Sequence, residues 1–119
     1  MSAASTADCA PKKHLFMVYA PDKTEEGTLA RRLAVREQHL AASKPRHESG
    51  LTRVGGMFTT PEGVTSPDAP KHMLGSLMIY EAESIEQVKE IIENDIYYTS
   101  GVWDPARMVI APFFTGHPI

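Results

Sequence analysis

"HLFMVYA" (residues 14–20) runs Leu15, Phe16, Met17 and Val18 in succession and closes on Pro21–Asp22. A strand with one face in water alternates apolar and polar residues, whereas a strand covered on both faces does not. "HMLGSLMIYEA" (72–82) repeats the pattern, with Leu77, Met78, Ile79 and Tyr80 apolar at both parities. Two strands of one sheet therefore ask for cover on both faces.

Helices account for one face. "TEEGTLARRLAVREQHLAAS" (24–43) reads as a helix with an acidic first turn suited to the dipole and an apolar stripe of Leu29, Leu33 and Leu40. Pro45 stops or bends it near Lys44. "SIEQVKEIIEND" (84–95) opens on Ser84 with Gln87 three residues on, a capping-box pattern, and buries Ile85, Val88, Ile91 and Ile92. "LTRVGGMFTT" (51–60) is a strand in which Gly55–Gly56 marks a bulge or a close backbone approach. Residues 61–71, with three prolines, form a loop, and "IYYTSG" (96–101) a short turn. "MVIAPFF" (108–114) is the last strand, at an edge or strand end because of Pro112.

The order strand, helix, strand, strand, helix, strand is the ferredoxin-like βαββαβ pattern. The expected fold class is α+β, a four-stranded antiparallel sheet with two helices on one face. No chain remains to cover the other face, so a second copy does, which predicts a homodimer with sheets face to face.

The bulk numbers agree with a single domain over 14–119. The chain has 119 residues, 42% hydrophobic and 23% charged, with a net charge of −3 and a pI near 5.9. That balance argues against nucleic acid or an anionic membrane as the main partner. No run of 18 apolar residues exists to span a membrane. Cys9 is the one cysteine, so neither an intramolecular disulfide nor a thiolate metal cluster can form, as suits a reducing compartment. Residues 1–13 are small and polar, poor as a mitochondrial presequence, and read as a disordered extension of a cytoplasmic protein.

Placed at about 100° per residue, Arg32, Arg36, His39 and Ser43 form a stripe beside the leucines, while Arg31 and Gln38 fall towards solvent. Arginines so placed can simply snorkel, and the histidine can be structural. Asp95 alters the balance. It falls within the arc of Val88, Ile91 and Ile92 at a helix C-terminus, where a carboxylate needs a cation or a donor. Side-by-side helices let His39 or an arginine supply one, although Asp95 can also just cap the turn that follows. A histidine held by a carboxylate beside arginines is an acid/base site for an anion. The five histidines show no metal-ligand spacing, "VGGMF" lacks a nucleotide-loop pattern, and no serine sits in a nucleophile elbow.

"RLAVREQHLA" (32–41), Gly75–Ser76 and the pattern from Asn94–Asp95 through Tyr97 to Gly101–Val102–Trp103 resemble the YCII-related domain family over residues 14–113. The resemblance implies the dimeric α+β barrel fold and a His39–Asp95 pair with an enzymatic role. It matches Arg36 to the family arginine, Ser76 to the small polar residue after the strand glycine, and Tyr97 to the family tyrosine. One relative is a dehydrochlorinase acting on a hydroxylated ring. The chain departs at Ile96, where the family usually has proline.

The resulting expectation is a small cofactor-free enzyme, lyase (dehydrochlorinase-like) or isomerase, acting on a small anionic or phenolic ring-derived substrate. His39 moves the proton and Asp95 orients it. Arg32 and Arg36 hold the anion, and Ser76, Tyr97 and Trp103 line the pocket, with no metal. The alternatives are a non-catalytic small-molecule-binding protein of the same fold and an oxygen-using or haem-binding relative.

Overall fold

The computed structural model describes residues 12–119; Cys9 and most of the N-terminal extension lie outside the described residues. Four strands, β1 (His14–Pro21), β2 (Thr52–Thr59), β3 (Met73–Ala82) and β4 (Val109–Pro112), form one antiparallel sheet in the order β2-β3-β1-β4. This is the expected ferredoxin-like α+β arrangement. β1 and β3 pair in the centre from His14 opposite Ala82 to Pro21 opposite Gly75. β4 is an edge strand that ends at Pro112, a position where a missing N–H does least harm.

Three helices accompany the sheet, α1 (Thr28–Glu48), α2 (Ile85–Glu93) and the one-turn α3 (Ile96–Thr99), with a 3-10 turn at Pro61–Val64 inside the loop. Phe16, Val18 and Ala20 of β1 and Met78, Tyr80 and Ala82 of β3 are buried with Val88 and Ile92 of α2 and with Tyr97, Val102 and Trp103. Ile85 and Ile91 are only partly buried at the margin of that core. The opposite parity, Leu15, Met17, Tyr19 and Ile79, is half-buried, and Leu77 is exposed. Tyr19 and Phe58 stack there at 5.4 Å. Among the described residues no helix is long and apolar enough to cross a membrane.

Helix α1 departs from its expected form in three ways. First, it begins at Thr28 rather than Thr24. Gly27 caps it with φ +90°, and Thr28 turns back to donate to the Glu25 carbonyl (2.9 Å), so the acidic pair precedes the helix. Second, it does not stop at Lys44. Pro45 lies in the last turn, where it forfeits one hydrogen bond, and the helix closes with Ser49 N–H donating to the Pro45 carbonyl (3.0 Å). Third, the leucine stripe does not face the core: Leu29, Leu33 and Leu40 are 51%, 53% and 45% exposed. The buried helix residues are Thr28 and Arg32 instead. Arg31 also leaves the solvent side, donating to the Gly101 carbonyl (3.0 Å).

Gly55 marks a close approach rather than a bulge. A Cβ there would stand 3.0 Å from the His47 imidazole, while the register irregularities flank it, at Thr52/Val54 and Phe58/Thr59.

Candidate active site

Asp95 is reached from two directions. Helix α2 ends with Asn94 as its C-cap, and Asp95 is then the N-cap of α3, its Oδ1 accepting from Tyr97 N–H at 2.8 Å. The carboxylate thus sits at a helix start, where the dipole favours it, and not at the unfavourable end that the longer helix implied. The same Oδ1 accepts from His39 Nδ1 at 2.8 Å, and the Arg46 guanidinium stands 3.7 Å from Oδ2. Opposite a carboxylate oxygen Nδ1 acts as the donor, and in a neutral ring so oriented the lone pair lies on Nε2.

Tyr97 supports that ring. His39 stacks on it at 3.9 Å with an interplanar angle of 13°. The Arg32 guanidinium carbon lies 4.6 Å from the Tyr97 centroid, a cation–π contact. Burial pushes the Tyr97 phenol upwards, against the pull of Arg32 and Arg36. Tyr80, deeper, is pushed up to about 12 by burial. Neither phenol ionises at neutral pH.

Arg32 is largely committed within the protein. Only 4% exposed, it donates through Nη1 to both oxygens of Asp22 (2.8 and 3.1 Å) and through Nη2 to Ser76 Oγ (3.0 Å). Trp103 Nε1–H donates to the same Ser76 oxygen at 3.2 Å. Two donors occupy the hydroxyl's lone pairs, so its proton is left to donate towards the cavity that Ser76 lines. Trp103, expected as a pocket wall, instead lies behind Tyr97 with ring centroids 5.6 Å apart, fully buried. Arg36 is exposed on the rim, and among the described residues no carboxylate pairs with it.

These groups surround a cavity of about 130 Å³ between α1 and strands β2 and β3, lined by His39, Arg36, Ser76, Tyr97, Tyr80 and Met57 among others. The volume approaches the ~150 Å³ of an engineered apolar cavity that admits benzene, so one ring is the scale of guest. None of the lining residues is acidic; Asp22 and Asp95 stand behind the wall. Among the described residues no group of three or more His, Cys, Asp or Glu is placed to hold a metal ion.

Sequence reasoning missed Asp22, Arg46, His47 and Thr52. Asp22 follows Pro21 and looks like a turn residue. Arg46 and His47 lie beyond Pro45, past the expected helix end, and both line the cavity with Thr52.

Comparison with known proteins accords with this geometry. The YCII-related domain model matches residues 14–112. The chain belongs to the YCII-related domain family. Among its relatives, Fusaric acid biosynthesis protein 2 of Gibberella moniliformis is 32% identical over 98 residues, covering 82% of this chain and 90% of that protein. Protein YciI of Escherichia coli O6:H1 is 30% identical over 99 residues, covering 83% and 95%. A solved structure, 5-chloro-2-hydroxyhydroquinone dehydrochlorinase (TftG) from Burkholderia phenoliruptrix AC1100 in complex with 2,5-dihydroxybenzoquinone, superposes with a TM-score of 0.69. It is 27% identical and covers 86% of this chain and 95% of its own. This YCII-related chain therefore shares its fold with a protein that binds a small quinone.

Proposed function

We propose that this protein is an acid/base enzyme of the lyase or isomerase type, acting without a cofactor on a small anionic or phenolic ring. The observation that carries the reading is the 2.8 Å His39–Asp95 contact, which leaves Nε2 unpartnered at a cavity of ring size. The likeness to TftG supports the class of guest.

On a ring with hydroxyls para to each other and chlorine beside one of them, the chemistry runs in two halves. His39 Nε2 takes the proton of the hydroxyl next to chlorine; that oxygen becomes a carbonyl, and the displaced ring electrons take the same proton back from Nε2 at the chlorine-bearing carbon, which leaves the imidazole neutral. His39 then takes the second hydroxyl proton, a second carbonyl forms, and the electron pair expels chloride, so that HCl is lost overall. Stopping after the first half is isomerisation. Asp95 holds the tautomer and stabilises the imidazolium formed within each half, as a carboxylate orienting a general base does. Arg36 and the Ser76 hydroxyl steady the developing oxyanion, with Arg32 fixing Ser76 from behind.

The test is chloride release from 5-chloro-2-hydroxyhydroquinone, together with binding of 2,5-dihydroxybenzoquinone, for the protein and for His39→Ala. Release that falls at least about 100-fold in the variant, the usual worth of a general base, with binding kept, supports the enzyme. Binding without turnover in either protein supports the non-catalytic alternative.

The same reading includes a homodimer joined through the open sheet face, where Leu15, Met17, Tyr19, Leu77 and Ile79 present apolar surface. Sedimentation should give twice the chain mass, and Leu77→Glu should shift it to the monomer. A monomer at all concentrations refutes this part.

A further inference from the structure

Around His39, Nδ1 is matched to Asp95 and the Arg32 Nη groups to Asp22 and Ser76, with Arg32 Nε buried and unpartnered behind them. On the β2 side of the cavity a whole side-chain hydroxyl is unmatched. Thr52 is 6% exposed, and its Oγ1 is buried with no hydrogen-bond partner. Arg46, two helical turns beyond His39, lines the same side, and its Nε is likewise buried and unpartnered. Its contact with Asp95, at 3.7 Å, is a loose ion pair without a hydrogen bond. Buried donors without acceptors are costly unless a guest supplies one. A guanidinium and a hydroxyl in one cavity lining that holds no acidic residue suit a planar anion with two oxygens.

We propose that Arg46 and Thr52 form a carboxylate subsite, so that the ligand class is a monocyclic hydroxyaryl carboxylate. Its acid group accepts from Arg46 and from Thr52 Oγ1–H, and its ring hydroxyl lies beside His39 Nε2. The orientation of the hydroxyl rests on the acid/base reading above; the subsite does not.

The matched probes are 2,5-dihydroxybenzoate and hydroquinone, which differ by the carboxylate. Calorimetry on the full chain should show the acid bound at least about tenfold more tightly, the scale of one charge-assisted hydrogen bond. Arg46→Gln and Thr52→Val should each cut that ratio to about threefold or less while leaving hydroquinone unchanged. Thr52→Ser should keep it, so the loss in Thr52→Val reports the hydroxyl and not the fold. Equal binding of the two probes, binding of neither, or a ratio that survives both Arg46→Gln and Thr52→Val overturns the subsite. His39→Ala separates the two ideas. A protein that keeps the acid preference but shows no turnover with or without His39 refutes the enzyme and leaves the subsite standing.

Discussion

Removing Asp22 tests whether the buried Arg32 organises the site. Arg32 and Asp22 are 4% and 7% exposed and joined by bonds of 2.8 and 3.1 Å. In Asp22→Ala the guanidinium keeps only Ser76 and the Tyr97 ring, and it cannot shed its proton. An uncompensated buried charge of this kind costs about 3–5 kcal/mol. For a chain of this length that is roughly 12–20 °C in Tm, taking ~4 °C per kcal/mol. Arg32→Met is the instructive partner, because the charge it strands can be neutralised. Burial already raises the Asp22 carboxyl above its ordinary value, with Arg32 pulling it down. Without Arg32 it rises further. A carboxyl raised in the folded state contributes stability below its unfolded value of ~3.9 and loses it as pH climbs through the folded one. Arg32→Met should therefore recover on acidification from pH 7 towards 5, by up to about 1.4 kcal/mol per pH unit, relative to the parent protein. Asp22→Ala should show no such recovery. Urea unfolding at both pH values reads the difference, and the double variant should lose less than the sum of the singles. Equal pH slopes in the two single variants, or losses below about 1 kcal/mol, the range of surface pairs, would refute the argument.

Two further outcomes follow from packing and burial. Gly75→Ala places a Cβ 2.6 Å from the Ala20 carbonyl oxygen and 2.7 Å from Pro21 Cα, so the central strands must part. A loss near 3 kcal/mol, the upper end for overpacking, is expected in thermal unfolding, whereas Gly56→Ala meets nothing within 4 Å and should leave Tm unmoved. In a spectrophotometric titration the Tyr80 phenolate should be absent at pH 10, where ordinary tyrosines are half-ionised, and should emerge only towards 12. Since this phenol is raised on folding, its contribution is lost as pH rises from 10 towards 12, and unfolding should accompany its ionisation.

The sheet was legible in the sequence because a strand's parity and length are local properties. The runs at 14–20 and 72–82 are central strands, and Pro112 marks the end of an edge strand. The face of α1 was not legible. Periodicity assigns a helix's apolar stripe to its own core, but here the side chain that meets the sheet is Arg32. Its counter-ion, Asp22, lies beyond the end of β1 with nothing local to announce it. The leucines accordingly look outwards. Likewise, the rule that proline ends a helix hid one more turn, and with it Arg46 and His47. Side-by-side helices made a donor or cation from α1 expected at Asp95, but the choice of His39 over an arginine rested on the family resemblance. The N-cap role of Asp95 was not legible, because it depends on α3, four residues that read as a turn.

The central claim is that Asp95 fixes His39 with Nδ1 protonated and Nε2 open to a ring-sized guest. Histidine-selective 15N NMR tests it at the atoms concerned, in the protein and in Asp95→Asn, with and without 2,5-dihydroxybenzoquinone. The account predicts a neutral His39 protonated at Nδ1, an Nε2 resonance that moves when the quinone is added, and loss of that single tautomer in Asp95→Asn. An Nε2-protonated ring, or an Nε2 resonance indifferent to a bound quinone, would contradict it.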